Sequence, residues 1–114
     1  MKCQKSSDVP ISEVESDDAE GVRIRWLIGK EDGIENFAMR MFEVQRGGHT
    51  PRHSHSHEHE VFVLEGKGEL FFEGKERAFE SGYVIFVPAR TEHQFRNTGD
   101  STLKFLCLVP AFAC

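Results

Sequence analysis

Apolar and polar residues alternate along several short stretches of this chain, a pattern typical of strands that bury one face. In Val22–Ile28, apolar residues at the even positions alternate with Arg23, Arg25 and Leu27. No stretch of ten or more residues shows the 3.6-residue period of an amphipathic helix. Further short strands are predicted at Phe37–Val44, Val61–Leu64, Glu69–Phe72, Glu76–Glu80, Tyr83–Val87, His93–Arg96 and Thr102–Val109.

Glycine and proline separate these predicted strands. Gly66-Lys67-Gly68 ends one strand, and Glu73-Gly74-Lys75 between two others is a hairpin signal. Arg46-Gly47-Gly48 is expected to turn the chain, and Pro88 to stop a strand. Eight or nine short strands with such turns predict an all-β domain, either an antiparallel sandwich or a barrel.

The domain organisation is inferred from a change in amino-acid composition near residue 20. Residues 1–20 are acidic and serine-rich and are expected to form an arm or tail. Residues 21–114 are expected to form one β domain, because a chain of 114 residues with ten phenylalanines can bury a real core.

Charge and cysteine content narrow the function. The net charge is -5 and the basic residues are scattered, which disfavours nucleic acid and anionic membranes as partners. The longest apolar run is too short to span a bilayer. Three cysteines without a C-x-x-C spacing suit reduced thiols in the cytoplasm. A Cys3–Cys114 bridge is the alternative.

Candidate chemistry is concentrated in Pro51–Glu60, which holds four of the six histidines at every second position. On a strand, His53 and His55 would share a face, about 7 Å apart along the backbone, a spacing suited to two ligands of one metal ion. On a helix, residues two apart would point in different directions. The alternative is a polar surface loop that binds metals only adventitiously.

Two motifs surround this cluster. Gly47 is followed by five residues, His53, one residue, His55, three residues, His59, six residues and Gly66. Further on, Gly82 is followed by five residues, Pro88, Ala89, Arg90, two residues, His93, three residues and Asn97. The pair resembles the two signatures of the cupin superfamily. Two positions depart from them: His59 stands where the family has Glu, and Arg90 where it has its second Gly.

The resemblance implies a cupin-type double-stranded β-helix, or jelly-roll barrel, with one metal ion in its mouth. The positions that match the family's ligands are His53, His55, His59 and His93. The chain resembles small four-histidine cupins that bind a divalent metal, often Mn²⁺, and imidazoles also suit Fe²⁺, Ni²⁺, Cu²⁺ and Zn²⁺. Glu60 is the alternative ligand, although it leaves only five residues before Gly66, where the family motif has six.

A pocket beside the metal is expected to involve the last strand. If Lys104 faces water, Phe105 and Cys107 point inward and could line this pocket, with plain core packing as the alternative. Arg40, if it faces inward, could bind a carboxylate. Phe42, Phe62 and Phe95 are expected to add apolar lining, which would favour an aromatic or apolar substrate. His57 is interpreted as a surface loop residue and His49 as a rim residue.

The leading functional hypothesis is a metal-dependent, dioxygenase-like oxidoreductase that acts on a small organic molecule. Four protein ligands would leave two positions of a six-coordinate ion for substrate and dioxygen. The alternatives are a non-catalytic module that binds a small molecule or metal, and a redox-neutral isomerase or decarboxylase. A homodimer is expected, because Val22–Ile28 offers an apolar edge and Phe37–Val44 an apolar patch.

Overall fold

The fold is built almost entirely from strands. The computed structural model describes residues 1–114 and contains nine β-strands and three 3₁₀ turns. The strands are β1 Ile11–Glu13, β2 Glu20–Ile28, β3 Phe37–His49, β4 His59–Glu65, β5 Lys67–Phe72, β6 Lys75–Glu80, β7 Val84–Val87, β8 His93–Asn97 and β9 Leu103–Pro110. The all-β prediction is therefore confirmed. None of the helical segments has the length and apolar character needed to cross a bilayer.

The strands form one curled antiparallel sheet in the order β6-β5-β8-β3-β9-β4-β7, with β2 paired to β3 and β1 to β2. The longest strand, β3, joins the two halves: Phe37–Val44 pair with β9, and His49 pairs with Arg96 of β8. The turn expected at Arg46-Gly47-Gly48 is wrong, because β3 continues through it. Gly47 has φ +78°, and a Cβ on Gly48 would collide with the Glu20 carbonyl oxygen.

The core lies between the two halves of the curled sheet. On β9, Leu103, Phe105, Cys107 and Val109 are buried, and the residues between them are partly exposed. Phe105 stacks between Phe42 and Phe95, with ring centroids 5.4 Å and 4.8 Å away. Each buried phenylalanine contributes roughly 2–3 kcal/mol of hydrophobic stabilisation. This aromatic stack forms the floor of the barrel mouth.

The N-terminal arm packs on the domain. Val9 is buried, and the guanidinium of Arg25 donates hydrogen bonds to the carbonyl oxygens of Ser7 and Val9. β1 pairs with Arg23–Arg25 of β2, so the edge expected to form a dimer contact is partly covered by the chain itself. The alternation in the arm spans only three residues, too few to signal a strand. The homodimer stays a prediction.

Arg90, one of the two departures from the motif, keeps the backbone shape that a glycine would favour. Its φ is +66°, in the left-handed region, and its N–H donates a hydrogen bond to the carbonyl oxygen of His55. Its exposed side chain forms no hydrogen bond or ion pair. The position therefore holds the histidine-rich loop through its backbone.

We expect Arg90→Gly to raise the free energy of unfolding by about 0.5–1 kcal/mol, because glycine adopts this conformation without a Cβ clash. Thermal unfolding should show a midpoint about 2–4 °C higher. Arg90→Ala removes the same side chain but keeps the Cβ, so its midpoint should not rise. Equal gains in both variants would show that the side chain, and not the backbone, is the source of the strain.

Candidate metal centre

The histidine-rich segment is a loop and not the predicted strand. Between β3 and β4 only His53 pairs with another strand, in an isolated bridge to His93. His53 N–H donates to the His93 carbonyl oxygen at 3.1 Å, and His93 N–H donates to the His53 carbonyl oxygen at 2.9 Å. The chain then bends at Ser56 and His57. A straight strand would keep the imidazoles in a row, whereas the bent loop gathers them.

The four histidines predicted as ligands lie together at the barrel mouth. Ring centroids are 4.1 Å apart for His53 and His55, and 4.9 Å apart for His55 and His59. His93 lies 5.2–5.3 Å from each of the other three. His53, His55 and His93 each offer one nitrogen within 4.8 Å of the other two. The structure thus brings both motifs to one place.

A fifth histidine joins this cluster, and sequence reasoning had set it aside. His57 stacks on His55 at 4.7 Å with nearly parallel rings and lies 5.0 Å from His59. It forms a second group of three with those two residues. Its even spacing in the sequence was the signal that could have found it. The sixth histidine, His49, lies elsewhere and contacts the Thr50 carbonyl and Gln94.

The orientation of two rings leaves nitrogen lone pairs for a ligand. His93 Nδ1 lies 2.8 Å from the carbonyl oxygen of Thr91. Because a carbonyl oxygen only accepts, Nδ1 carries the proton and Nε2 keeps its lone pair. Nε2 of His59 is buried and has no hydrogen-bond partner. A buried nitrogen without a partner is rare in folded proteins, and it marks a place for an additional group.

Burial keeps the clustered imidazoles neutral. Desolvation lowers the pKa of His59 to about 2, with the Arg40 charge as the next cause. Desolvation and the neighbouring His53 lower the pKa of His55 to about 4. The pKa values of His53, His57 and His93 are also lowered, chiefly by burial. Neutral imidazole is the form that binds metal ions.

Arg40 and Cys107 both contact Nδ1 of the His59 ring. They face each other across β3 and β9, and Arg40 Nη2 lies 2.9 Å from Cys107 Sγ. Nδ1 of His59 lies 3.2 Å from both groups. If Nε2 turns its lone pair to the cluster, Nδ1 carries the proton and Cys107 sulfur is the available acceptor. Burial raises the pKa of Cys107, so it acts as a thiol.

A cavity of about 60 Å³ lies under the cluster. Five of the residues predicted to form a pocket line it, together with the four histidines: Arg40, Phe42, Phe95, Phe105 and Cys107. The prediction for Phe62 is wrong, because its side chain is exposed on the outer face of β4. Val14 of the N-terminal arm forms part of the wall, which the sequence did not suggest. The Asp18 carboxylate accepts a hydrogen bond of 2.8 Å from the N–H of Arg52, beside His53. The arm therefore closes one side of the centre.

A second, larger cleft reaches His93 from another direction. It measures about 480 Å³ and lies between the edge strands β6 and β7, which are not hydrogen-bonded to each other. Its lining is mostly apolar and includes Leu70, Phe72, Phe79, Ile85 and Val87, with Thr91 and His93. The cleft offers room beside the centre that the small cavity lacks.

The structure separates His59 from its alternative, Glu60. Successive side chains of a strand point to opposite faces, and β4 buries His59 while Glu60 is exposed. Glu60 lies on the outer face, in a groove with Phe62 and Phe86. To place its carboxylate at the centre, β4 would have to slip by one residue and turn its buried valines outward. The geometry favours His59.

The donor set fits a divalent transition metal. It consists of neutral imidazoles, with the free Nε2 lone pair of His93 and a buried Nε2 of His59 that has no protein partner. Nitrogen ligands of this kind suit borderline metals. A closed zinc site of the cysteine type does not fit, because the nearest sulfur, Cys107, contacts the far nitrogen of His59.

Comparisons with known proteins agree with this geometry. The sequence profile of the family described as "Cupin domain" matches residues 40–109. The solved structure of the polyketide cyclase RemF from Streptomyces resistomycificus is 34% identical, with a TM-score of 0.91, and the match covers 97% of this chain and 80% of that one.

Two relatives are similar in sequence. The 1-methylthio-D-xylulose 5-phosphate methylsulfurylase of Rhodospirillum rubrum is 37% identical over 64% of this chain and 47% of that protein. An oxalate-binding protein of Thermotoga maritima is 31% identical over 77% of this chain and 74% of that protein. Apart from the latter, the chain spans about half the length or less of the curated relatives it matches.

We expect acidification to destabilise the metal-free protein. The clustered histidines have lowered pKa values, so the unfolded chain takes up protons first as the pH falls below 6.5. The free energy of unfolding should therefore fall from pH 6.5 to about 4, where His55 itself titrates in the folded protein. Urea unfolding of chelator-treated protein measures this slope.

The matched variants are His55→Asn and Ser56→Asn, which change neighbouring positions of one loop. His55→Asn should flatten the dependence on pH, and Ser56→Asn should keep the wild-type slope. Identical slopes in all three proteins would contradict a neutral histidine cluster.

Proposed function

We propose that this chain, which belongs to the cupin family, is a metal-dependent enzyme that acts on a small organic molecule at the barrel mouth. The cupin-type jelly-roll barrel expected from the two motifs is confirmed by the profile match and the structural likeness. The observation that carries the proposal is the convergence of neutral imidazoles, with the buried Nε2 of His59 among them.

The proposed ligands are His53, His55, His59 and His93. When bound, a divalent ion without a carboxylate ligand supplies Lewis acidity that polarises a carbonyl oxygen. Thr91 holds the His93 ring through its carbonyl oxygen, and Cys107 supports His59. Mn²⁺ is the metal that the family resemblance favours, with Fe²⁺, Ni²⁺, Cu²⁺ and Zn²⁺ as alternatives.

Redox-neutral chemistry on a carbonyl compound is the leading reaction class. The similarity to a polyketide cyclase, which extends over 97% of this chain, supports this class. In this proposal Phe42, Phe95 and Phe105 pack around the reacting group of the substrate and exclude water from it. Exclusion of water strengthens every electrostatic interaction at the centre.

Two other functions have support. The dioxygenase-like reaction predicted from the sequence is favoured by the apolar wall, which contains no carboxylate base. A non-catalytic binding module is supported by the likeness to an oxalate-binding protein. Because one fold hosts many functions, the choice among these three functions depends on the side chains of the site and not on the fold.

Location and assembly stay predictions. All three cysteines are free, including Cys3 and Cys114 at the two ends of the chain, so the alternative bridge is not formed. Free thiols suit the predicted cytoplasmic location. An apolar outer surface at Phe62, Val84 and Phe86 supports the predicted homodimer.

We expect one metal ion per chain in protein purified without a tag. His59→Ala should lower the metal content, because the variant removes a ligand that the fold holds in place. Elemental analysis of dialysed protein measures the stoichiometry. His49→Ala and Glu60→Ala are matched controls outside the cluster and should keep the wild-type content. Loss of metal in Glu60→Ala with retention in His59→Ala would reverse the ligand assignment.

We expect metal-loaded protein to cyclise a linear β-triketone without consuming oxygen. The absorbance of the ring product measures this reaction. His93→Ala should abolish turnover and keep the strand signal in circular dichroism. Oxygen uptake that depends on the substrate would establish the dioxygenase instead. Saturable ligand binding with neither product nor oxygen uptake, under each of the five metals, would establish the binding module.

A further inference from the structure

Arg40 is a charged residue in the cavity wall without an acidic partner. Its guanidinium contacts Cys107 sulfur and His59 Nδ1, and lies over the rings of Phe42 and Trp26 at 5.0 Å and 5.5 Å. None of these groups is a carboxylate. On the neighbouring strand, by contrast, Arg23 and Arg25 both pair with Glu43.

The hydrogen-bonding capacity of this guanidinium is only partly used. Nη2 donates a hydrogen bond to Cys107 sulfur at 2.9 Å. Its contact with His59 Nδ1 at 3.2 Å is not a hydrogen bond when that nitrogen carries the proton. Nε is buried without a partner, and Nη1 forms no hydrogen bond. An arginine side chain offers five N–H donors in a planar fork that matches an oxyanion. Leaving the buried Nε without a partner has a cost, and Nη1 is available to donate to an added acceptor.

The surrounding cavity carries no negative charge. None of its thirteen lining residues is Asp or Glu, and its histidines are neutral. Arg40 is therefore the sole charged side chain in the wall, and a bound divalent ion would add two further positive charges. Such an excess of positive charge favours an anionic ligand.

The size of the cavity limits what part of a ligand enters it. Its volume is about 60 Å³, well below the roughly 150 Å³ of a cavity that binds benzene. It accommodates a carboxylate or a single enolate oxygen with its carbon, but not an aromatic ring. Any larger part of the ligand has to lie outside this cavity.

We propose that Arg40 is the anchor for an anionic substrate, and that it binds a carboxylate or enolate oxygen beside the four histidines. This proposal rests on the proposed function, whose substrate class it narrows from small organic molecules to organic anions. In this proposal the charge of Arg40, and not its packing, makes the site prefer anionic over neutral ligands.

The test compares an anion with its neutral isostere. Acetate and acetamide, and benzoate and benzamide, are titrated into metal-loaded and metal-free protein by calorimetry. Trp26, the only tryptophan, lies against Arg40 and gives a second signal by fluorescence. We expect both anions to bind in saturable fashion and the amides to bind at least about tenfold more weakly.

Three variants separate charge from packing. Arg40→Gln should weaken anion binding about tenfold or more, whereas Arg40→Lys keeps the charge and should retain most of the affinity. Arg23→Gln changes an arginine paired outside the cavity and should bind anions like the wild type. Equal anion affinities in the wild type, Arg40→Gln and Arg40→Lys would overturn the proposal.

Metal content, measured in the same samples, distinguishes the two proposals. One metal per chain in Arg40→Gln together with lost anion binding supports an anchor that acts on the ligand. If the wild type holds no metal, the proposed function fails, and the anion titrations of the metal-free proteins still test Arg40. Weak binding of acetate and acetamide alike, with or without metal, would overturn the proposal as well.

Discussion

The centre depends on one backbone contact, the pair of hydrogen bonds between His53 and His93. These bonds join the loop after β3 to the start of β8, and so bring together residues 40 positions apart in the sequence. The N–H of Arg90 holds the same loop at His55. Because both contacts are made by the backbone, the imidazoles are free to turn their nitrogens to a common point. Without this bridge the histidine-rich segment would be an ordinary polar loop.

Around that point the cavity lining contains no carboxylate, and one acidic side chain, Asp18, lies beside His53 at the edge of the centre. Burial disfavours protonation of the imidazoles, and the guanidinium of Arg40 disfavours it further. The contacts of Thr91 with His93 and of Cys107 with His59 orient the rings. Such supporting contacts fix the protonated nitrogen of a ligand histidine and raise its basicity. This environment supports the proposals of a metal cation at the histidines and of an anion beside it.

The relatives show why the family alone does not decide the reaction. A polyketide cyclase, a methylsulfurylase and an oxalate-binding protein are all similar to this chain. They share a barrel, whereas function resides in the side chains at its mouth. In this chain the informative residues are His59 and Arg40. A histidine replaces the family's usual carboxylate, and an arginine without a carboxylate partner lies directly behind it.

The sequence by itself determined the local structure. Alternation in Val22–Ile28, together with short apolar stretches bounded by turn residues, predicted eight of the nine strands, because these local patterns do not depend on a strand's partners. Glycine and proline marked most strand ends, since their backbone preferences are intrinsic. The spacing of the two motifs identified the cupin fold. Two local errors have local causes: β1 is too short to show a pattern, and β3 passes through its glycines because Gly48 fits closely against another strand.

Only the tertiary structure decided which side chains meet. The sequence left His59 and Glu60 as alternatives, and the face of β4 separated them. It left the direction of Arg40 open, and the pairing of β3 with β9 placed this residue against Cys107. The sequence placed His57 on the surface of a loop, whereas the bend of that loop stacks its ring on His55. The physical reason is that periodicity describes neighbours along the chain, whereas a site is formed by strands that are distant in sequence and meet when the sheet curls.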